Sequence, residues 1–132
     1  MTTVIFACVQ NSGRSQMAAA FFNRVADPAK ARALSAGTKP AGQIHTEVRE
    51  AMGEVGLDLS DAVPQRLTPE LAAQAQWLVT MGCGEDCPVV PGVLREDWPF
   101  PDPHGQGLDS VRAIRDAVRA KVEAFVTQQG WD

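Results

Sequence analysis

Residues 8–15 read Cys8-Val9-Gln10-Asn11-Ser12-Gly13-Arg14-Ser15, and this stretch decides how the chain folds. The apolar residues 4–7 precede it and predict a short buried strand. After it, apolar side chains recur at helical spacing as far as Val25, before Asp27-Pro28 ends the pattern. Strand, loop and helix in this order bring loop amides and the positive end of a helix to one point. We therefore expect residues 8–14 to enclose an anion.

The residue types in this loop predict chemistry as well as binding. Cys8 stands at its floor as a nucleophile, because loop amides, the helix and Arg14 all favour the thiolate. Arg14 can hold two oxygens of a tetrahedral oxyanion with its planar guanidinium group. The hydroxyl of Ser15 can donate one more hydrogen bond to the sulfur. The alternative is a buried structural cysteine beside a surface arginine, and the flanking strand and helix favour the catalytic interpretation.

The rest of the chain alternates strands with helices. Further strands are predicted at residues 32–36, 77–81 and 93–98. Thr46, Thr68 and Asp109 are each predicted to cap a helix, and Pro69 suits the first turn of the second of these helices. This alternation predicts an α/β fold, with a single domain over residues 1–132 that contains a parallel four-stranded sheet and helices on both faces.

Two more groups of residues are predicted beyond the carboxyl ends of these strands, where such sheets bind ligands. Asp102, which precedes Pro103, is a candidate general acid that protonates a leaving oxygen, although Asp-Pro is also common in turns. Cys83 and Cys87 are candidates for a redox-active pair, because the glycines around Cys83 allow the two sulfurs to approach each other. Zinc binding and two inert cysteines are the alternatives.

The histidines do not favour zinc. His45 and His104 have no ligand spacing relative to the two cysteines, which alone supply only two ligands. We expect no metal site. His45 is expected at the surface near a helix start, and His104 in the loop that carries Asp102.

Composition limits the classes of partner and the location. The 132 residues have a formal net charge of -4, which disfavours nucleic acid and membrane surfaces as main partners. No apolar run approaches the roughly 20 residues that cross a bilayer, and the N-terminus lacks the features of a secretory signal. We expect a cytoplasmic protein and a monomer. That compartment is reducing, so we expect the three cysteines to be reactive thiols and not a structural disulfide framework.

Taken together, these motifs resemble the arsenate reductases that share the low-molecular-weight tyrosine phosphatase fold. The matching stretches occur in family order: residues 8–18, Leu34-Ser35-Ala36-Gly37, Val79-Thr80-Met81-Gly82-Cys83, Cys87-Pro88 and Asp102-Pro103. The resemblance covers nearly the whole chain. A phosphatase-like loop followed by two downstream cysteines is its most specific feature.

The resemblance implies a mechanism and an electron donor. Arsenate would bind in the loop, and Cys8 would attack arsenic while Asp102 helps an oxygen to leave. Cys83 would then attack Cys8, and Cys87 would attack Cys83, which leaves a redox-active Cys83–Cys87 disulfide for thioredoxin to reduce. No tightly bound cofactor is implied. Related enzymes that bind potassium carry one acidic residue at the position of Ala19 and another near the position of Gln65. This chain lacks both carboxylates, so we expect no potassium site.

Other functions stay open at this level. A tyrosine phosphatase would use Cys8, Arg14 and Asp102 through a phosphocysteine, but His104-Gly105 stands where such enzymes carry aromatic residues after the Asp-Pro pair. The short gap between the two downstream cysteines also fits relatives that use a small thiol such as mycothiol. A non-catalytic oxyanion-binding protein or redox switch is the third alternative.

Overall fold

The computed structural model of the chain describes residues 1–82, 87 and 89–132. The strands of the described residues are β1 (Thr2–Cys8), β2 (Ala31–Gly37), β3 (Trp77–Thr80) and β4 (Leu94–Asp97). The helices are α1 (Arg14–Val25), α2 (Thr46–Glu54), α3 (Pro69–Ala72) and α4 (Leu108–Gln129). Along the described chain, no helix combines the length and apolar character needed to cross a membrane.

The sheet has the order β2-β1-β3-β4, and all its neighbouring strands are parallel. This confirms the predicted α/β class with a parallel four-stranded sheet. β1 lies inside the sheet, and its residues from Thr3 to Cys8 are buried. A strand covered on both faces has no solvent side, so its sequence is a continuous apolar run instead of an alternating one.

Alternate residues of β1 supply two separate cores, because successive side chains of a strand point to opposite faces. Val4 and Phe6 pack with residues of α1, α2 and α4 in the larger core. Ile5 and Ala7 pack with Leu78 and residues around α3 in the smaller core on the other face. Burying one large apolar side chain such as Phe6 stabilises the fold by roughly 1.5–3 kcal/mol. Helices therefore cover both faces of the sheet, as predicted.

Of the three predicted helix caps, one is confirmed and two are wrong. Thr68 caps α3 as predicted, since its Oγ1 accepts a 3.0 Å hydrogen bond from the backbone N–H of Leu71. The predictions for Thr46 and Asp109 are wrong by one and two positions. His45 is the residue that precedes α2, and Gly107 precedes α4, so Thr46 and Asp109 already belong to the first turns. An acidic side chain in a first turn still favours the helix through its dipole.

The fold brings the functional segments to one edge of the sheet. β1 ends at Cys8, directly before the loop that leads into α1. The segment after β4 crosses the same edge, and the carbonyl oxygen of Phe100 in that segment accepts a hydrogen bond from Arg14. This edge is formed by the carboxyl ends of the strands, which is where parallel sheets bind ligands.

Candidate active site

Backbone hydrogen bonds to residues 38–45 fix the shape of the loop between β1 and α1. Four of its carbonyl groups, those of Cys8, Val9, Gln10 and Ser12, accept hydrogen bonds of 2.8–3.1 Å from the N–H groups of Thr38, Lys39, Ala41 and His45. The peptide group is planar, with its N–H opposite its C=O. The N–H groups that follow these carbonyls therefore point away from residues 38–45. Such a ring of amides is a site for an anion.

Asn11 fixes the shape of the loop from within. Its φ is 52°, in the left-handed region that asparagine tolerates better than most residues, and its side chain is fully buried. Its Oδ1 accepts hydrogen bonds from the backbone N–H of Gln65 at 2.9 Å and from Nε2 of Gln16 at 3.1 Å. The asparagine in the motif thus connects the loop to α1 and to the segment before α3.

The thiol of Cys8 lies at the floor of the loop. It is a free cysteine with 3% of its surface exposed, and its Sγ lies 2.9 Å from Oγ of Ser15. Nδ2 of Asn11 donates a 2.7 Å hydrogen bond to the same Oγ. Because the oxygen of Ser15 is already an acceptor for Asn11, its O–H is left to donate to the sulfur. The hydroxyl of Ser15 is thus placed to donate a hydrogen bond to the sulfur of Cys8.

Arg14 is buried although it is the first residue of α1. Its Nη1 donates a 3.0 Å hydrogen bond to the carbonyl oxygen of Phe100, and only 8% of the residue is exposed. Its guanidinium group also packs against Gly82, where a Cβ atom would collide with Nη1. Held from two sides, the guanidinium is oriented before any ligand arrives, which lowers the cost of binding.

Asp102 reaches the pocket from the segment after β4. Its Oδ2 lies 3.9 Å from Nη2 of Arg14, and slightly more than half of its side chain is exposed. The neighbouring Pro103 packs on Gly13, where a Cβ would lie 2.7 Å from Cγ of the proline. Gly13 thus permits the close approach that brings Asp102 over the loop.

Two histidines lie at the pocket although no sequence motif indicates this position. Nε2 of His45 lies 2.9 Å from Oγ of Ser12 and 3.1 Å from Oε1 of Gln10, so this ring is tied to the loop. Nδ1 of His104 lies 3.2 Å from the same Nε2, and the two ring centroids are 4.6 Å apart. Burial and the nearby His104 lower the pKa of His45, while Asp102 and Glu47 oppose that shift. No local sequence signal links two histidines 59 positions apart.

Several of the predicted residues, but not Cys87, line one small pocket. Its lining in the described structure consists of Cys8, Gln10, Ser12, Gly13, Arg14, His45 and Asp102. Ser15 lies against the sulfur, and Val9 and Asn11 complete the loop. Among the described residues, no group of three or more histidine, cysteine or acidic side chains could hold a metal ion.

The two downstream cysteines are only partly described. Cys83 lies outside the described residues, and so does the predicted Cys83–Cys87 pairing. Cys87 is 3% exposed and belongs to the smaller core, whereas Cys8 belongs to the larger core on the opposite face of the sheet.

The fold, the loop and the position of Asp102 are those of a phosphatase-like α/β protein. Residues 3–130 match the family described as low molecular weight phosphotyrosine protein phosphatase. The chain therefore belongs to this family.

Within this family, the chain is similar to several proteins that are named arsenate reductases. A relative from Halobacterium salinarum, provisionally called an arsenate reductase, is 39% identical over 121 residues, which is 89% of this chain and 85% of its own. Arsenate reductase 2 of Staphylococcus haemolyticus is 31% identical over 96% of this chain and 97% of its own. A thioredoxin-dependent arsenate reductase of Corynebacterium glutamicum is 34% identical, with a TM-score of 0.84 over 97% of this chain. This chain spans 61% of the corynebacterial chain.

Proposed function

We propose that this protein is an arsenate reductase that uses Cys8 as its nucleophile. One observation carries the proposal: the buried free thiol of Cys8 lies in a small pocket that Arg14 and Asp102 also line. Arsenate is a small tetrahedral oxyanion, which suits a loop of amides with a guanidinium beside it. The relatives that are named arsenate reductases support this choice of substrate.

In the first step, the Cys8 thiolate attacks the arsenic atom of bound arsenate. A sulfur–arsenic bond forms and an arsenic–oxygen bond breaks. The departing oxygen takes a proton from Asp102 and leaves as water. Arg14 binds the remaining oxygens, on which negative charge concentrates. The hydrogen bond from Ser15 supports the thiolate before the attack.

In each of the next two steps a thiolate attacks a sulfur atom: the first step forms a Cys8–Cys83 disulfide, and the second is a thiol–disulfide exchange. The Cys83 thiolate attacks the sulfur of Cys8, and the electron pair of the sulfur–arsenic bond passes to arsenic, which changes from As(V) to As(III) and leaves as arsenite. Cys87 then attacks Cys83, which releases Cys8 as a thiolate and leaves a Cys83–Cys87 disulfide. Two thiols of thioredoxin reduce this disulfide and become oxidised themselves. The name of the corynebacterial relative supports thioredoxin as the donor.

The proposed setting is the cytoplasm, because the cycle needs reduced cysteines. We propose a monomer without a tightly bound cofactor. Nucleic acid and membranes are not part of the proposal, in keeping with the net charge of -4.

The test is an assay that couples arsenate reduction to NADPH oxidation through thioredoxin and thioredoxin reductase. NADPH oxidation is expected to depend on arsenate and to disappear in Cys8→Ser. Cys83→Ala and Cys87→Ala are each expected to stop multiple turnover. Arsenate-independent oxidation, or full activity of Cys8→Ser, would contradict the proposal.

The same variants separate the small-thiol alternative. If Cys83→Ala and Cys87→Ala continue to cycle when mycothiol replaces thioredoxin, the small thiol performs the second attack and the internal relay is wrong. Hydrolysis of an aryl phosphate without any arsenate reduction would instead identify a phosphatase.

A further inference from the structure

We propose that the contact between His45 and His104 determines substrate specificity, because it closes the outer side of the pocket to esters and admits small free oxyanions. The inference rests on the proposed function, since it concerns the substrate class of the same pocket. It assigns a role to two side chains that the reaction steps above do not use.

The direction of attack decides where a larger substrate must extend. A group displaced by Cys8 leaves from the side of the tetrahedral centre opposite the sulfur. Among the described residues, the pocket is lined by the loop that surrounds Cys8 and by two residues from elsewhere, His45 and Asp102. In the proposed geometry, a substituent on the leaving oxygen therefore passes between His45 and Asp102.

A continuous chain of contacts spans this gap. Nε2 of His45 lies 3.2 Å from Nδ1 of His104, and the backbone N–H of His104 donates a 2.9 Å hydrogen bond to Oδ1 of Asp102. On the other side, His45 is fixed to the loop through Oγ of Ser12 at 2.9 Å. The two walls of the pocket are thus joined to each other.

The protonation of the pair supports this bridge. Its ring-to-ring hydrogen bond needs one nitrogen that donates and one that accepts, so at least one ring must be neutral. Burial and the neighbouring His104 lower the pKa of His45, which favours its neutral form. The acidic groups that face His45, Asp102 and Glu47, partly offset this shift.

The consequence differs between the two classes of substrate. Free arsenate or phosphate has only an oxygen or hydroxyl at the leaving position, so it carries no group that would extend to the histidines. A phenyl ester carries a ring at that position, so the His45–His104 hydrogen bond has to break before the ester can bind. The cost of that break is a penalty against esters, which is how a site achieves selectivity by excluding the wrong ligand.

Binding of two unreactive probes tests the bridge directly. Inorganic phosphate represents the free oxyanion, and phenylphosphonate carries a ring where an ester would. Their dissociation constants are measured by calorimetry for the wild type, His104→Ala and His104→Asn. Loss of one hydrogen bond predicts that His104→Ala improves phenylphosphonate binding relative to phosphate by about tenfold.

His104→Asn is the matched variant, because its amide places a polar atom near the position of Nδ1. Its preference is expected to stay within about twofold of the wild type, since the hydrogen bond to His45 is retained. Thr46→Ala changes an exposed residue next to His45 and is expected to leave the preference unchanged. Circular dichroism verifies that each variant is folded.

Turnover of p-nitrophenyl phosphate gives a second measurement. In that reaction a Cys8 sulfur–phosphorus bond forms as nitrophenol leaves with a proton, and water then releases phosphate. kcat/KM for this ester is expected to rise in His104→Ala relative to His104→Asn. An unchanged preference in both measurements, or a wild type that binds the two probes equally, overturns the bridge.

The outcome is separable from that of the proposed function. A wild type that reduces arsenate while His104→Ala keeps the wild-type preference contradicts the bridge alone. A raised preference for phenylphosphonate in a protein that does not reduce arsenate contradicts the proposed reductase and leaves the bridge standing.

Discussion

The backbone of Gly82 packs directly against the guanidinium group of Arg14, so that no Cβ atom fits between them. The φ of Gly82 is +111°, a conformation that other residues rarely adopt. This glycine is the last described residue before Cys83. The side chain proposed to bind the oxyanion is therefore in contact with the residue that directly precedes Cys83 in the sequence.

Gly82→Ala is expected to weaken the binding of inorganic phosphate by about tenfold or more, which corresponds to roughly 1.4 kcal/mol. The new methyl group displaces Arg14 from its position beside the carbonyl oxygen of Phe100, so the two-point grip on the anion is lost. The measurement is a calorimetric titration. Gly92→Ala is the matched control, because Gly92 has a φ of +84° and open space around it. Equal losses in both variants would mean that backbone strain alone is responsible.

Ser15→Ala is expected to slow arsenate reduction about 10- to 100-fold, the effect of losing one hydrogen bond to a charged group. The variant removes the donor that lies 2.9 Å from the sulfur of Cys8. Steady-state rates with saturating arsenate and thioredoxin provide the measurement. Ser110→Ala, an exposed serine in α4, controls for the substitution itself. If both variants keep the wild-type rate, Ser15 does not assist the thiolate.

Asn11→Ala is expected to lower the free energy of unfolding by about 2–4 kcal/mol, measured by urea denaturation. The substitution removes the buried hydrogen bonds to Ser15, Gln16 and Gln65 and leaves alanine at a φ of 52°. Asn11→Gly removes the same bonds without the backbone strain. It should therefore be more stable than Asn11→Ala by roughly 1 kcal/mol. Identical stabilities would show that the left-handed conformation at position 11 costs alanine nothing.

Local patterns made much of this fold predictable. The apolar run before Cys8, the apolar spacing after Ser15 and the Thr68-Pro69 start of α3 each act within a few residues, and each is confirmed by the structure. The starts of α2 and α4 were misplaced because a threonine or aspartate in a first turn resembles a cap in sequence. Capping depends on the φ and ψ of the preceding residue, here His45 and Gly107.

The sequence predicted those site residues that belong to one motif. It did not predict the contact between residues from distant segments. Cys8, Arg14 and Ser15 lie within eight positions, so strand–loop–helix geometry alone brings them together. The contact of His45 with His104 depends on how the α2 start and the Asp102 loop pack over the pocket. That packing is a property of the whole fold, and neither histidine has a neighbour in sequence that indicates it.

Glu54 makes the stability of the protein depend on pH in the acidic range. A hydrogen bond from Arg112, together with one from Arg115, lowers the pKa of this carboxyl from 4.5 to about 2. Because the unfolded chain takes up this proton first, the stabilisation is complete above pH 4.5 and is lost as the pH falls towards 2. Glu54→Gln should be less stable than the wild type at pH 7 and should lose less stability on acidification. Unfolding midpoints in urea at pH 7 and at a pH between 4.5 and 2 measure this difference. Glu50→Gln changes an exposed residue on the same helix and is the control.

The stability of the protein is also expected to depend on pH through His45, whose pKa is lowered mainly by burial, whereas that of Glu54 is lowered by hydrogen bonds. The pKa of His45 is lowered from 6.5, first by burial and then by His104, so the folded protein prefers the neutral ring. Below pH 6.5 the unfolded chain binds this proton more readily than the folded chain, and the stability of the wild type falls. His45→Asn lacks this titration but also loses contacts of the ring with Ser12 and Gln10, which costs about 1 kcal/mol at pH 7.5. The difference in unfolding free energy between the two proteins should therefore shrink between pH 7.5 and about pH 5, because the unfolded wild-type chain takes up a proton at a histidine that the variant lacks. Urea denaturation across this range measures the difference, and a constant gap would mean that His45 is as readily protonated in the folded protein as in the unfolded chain.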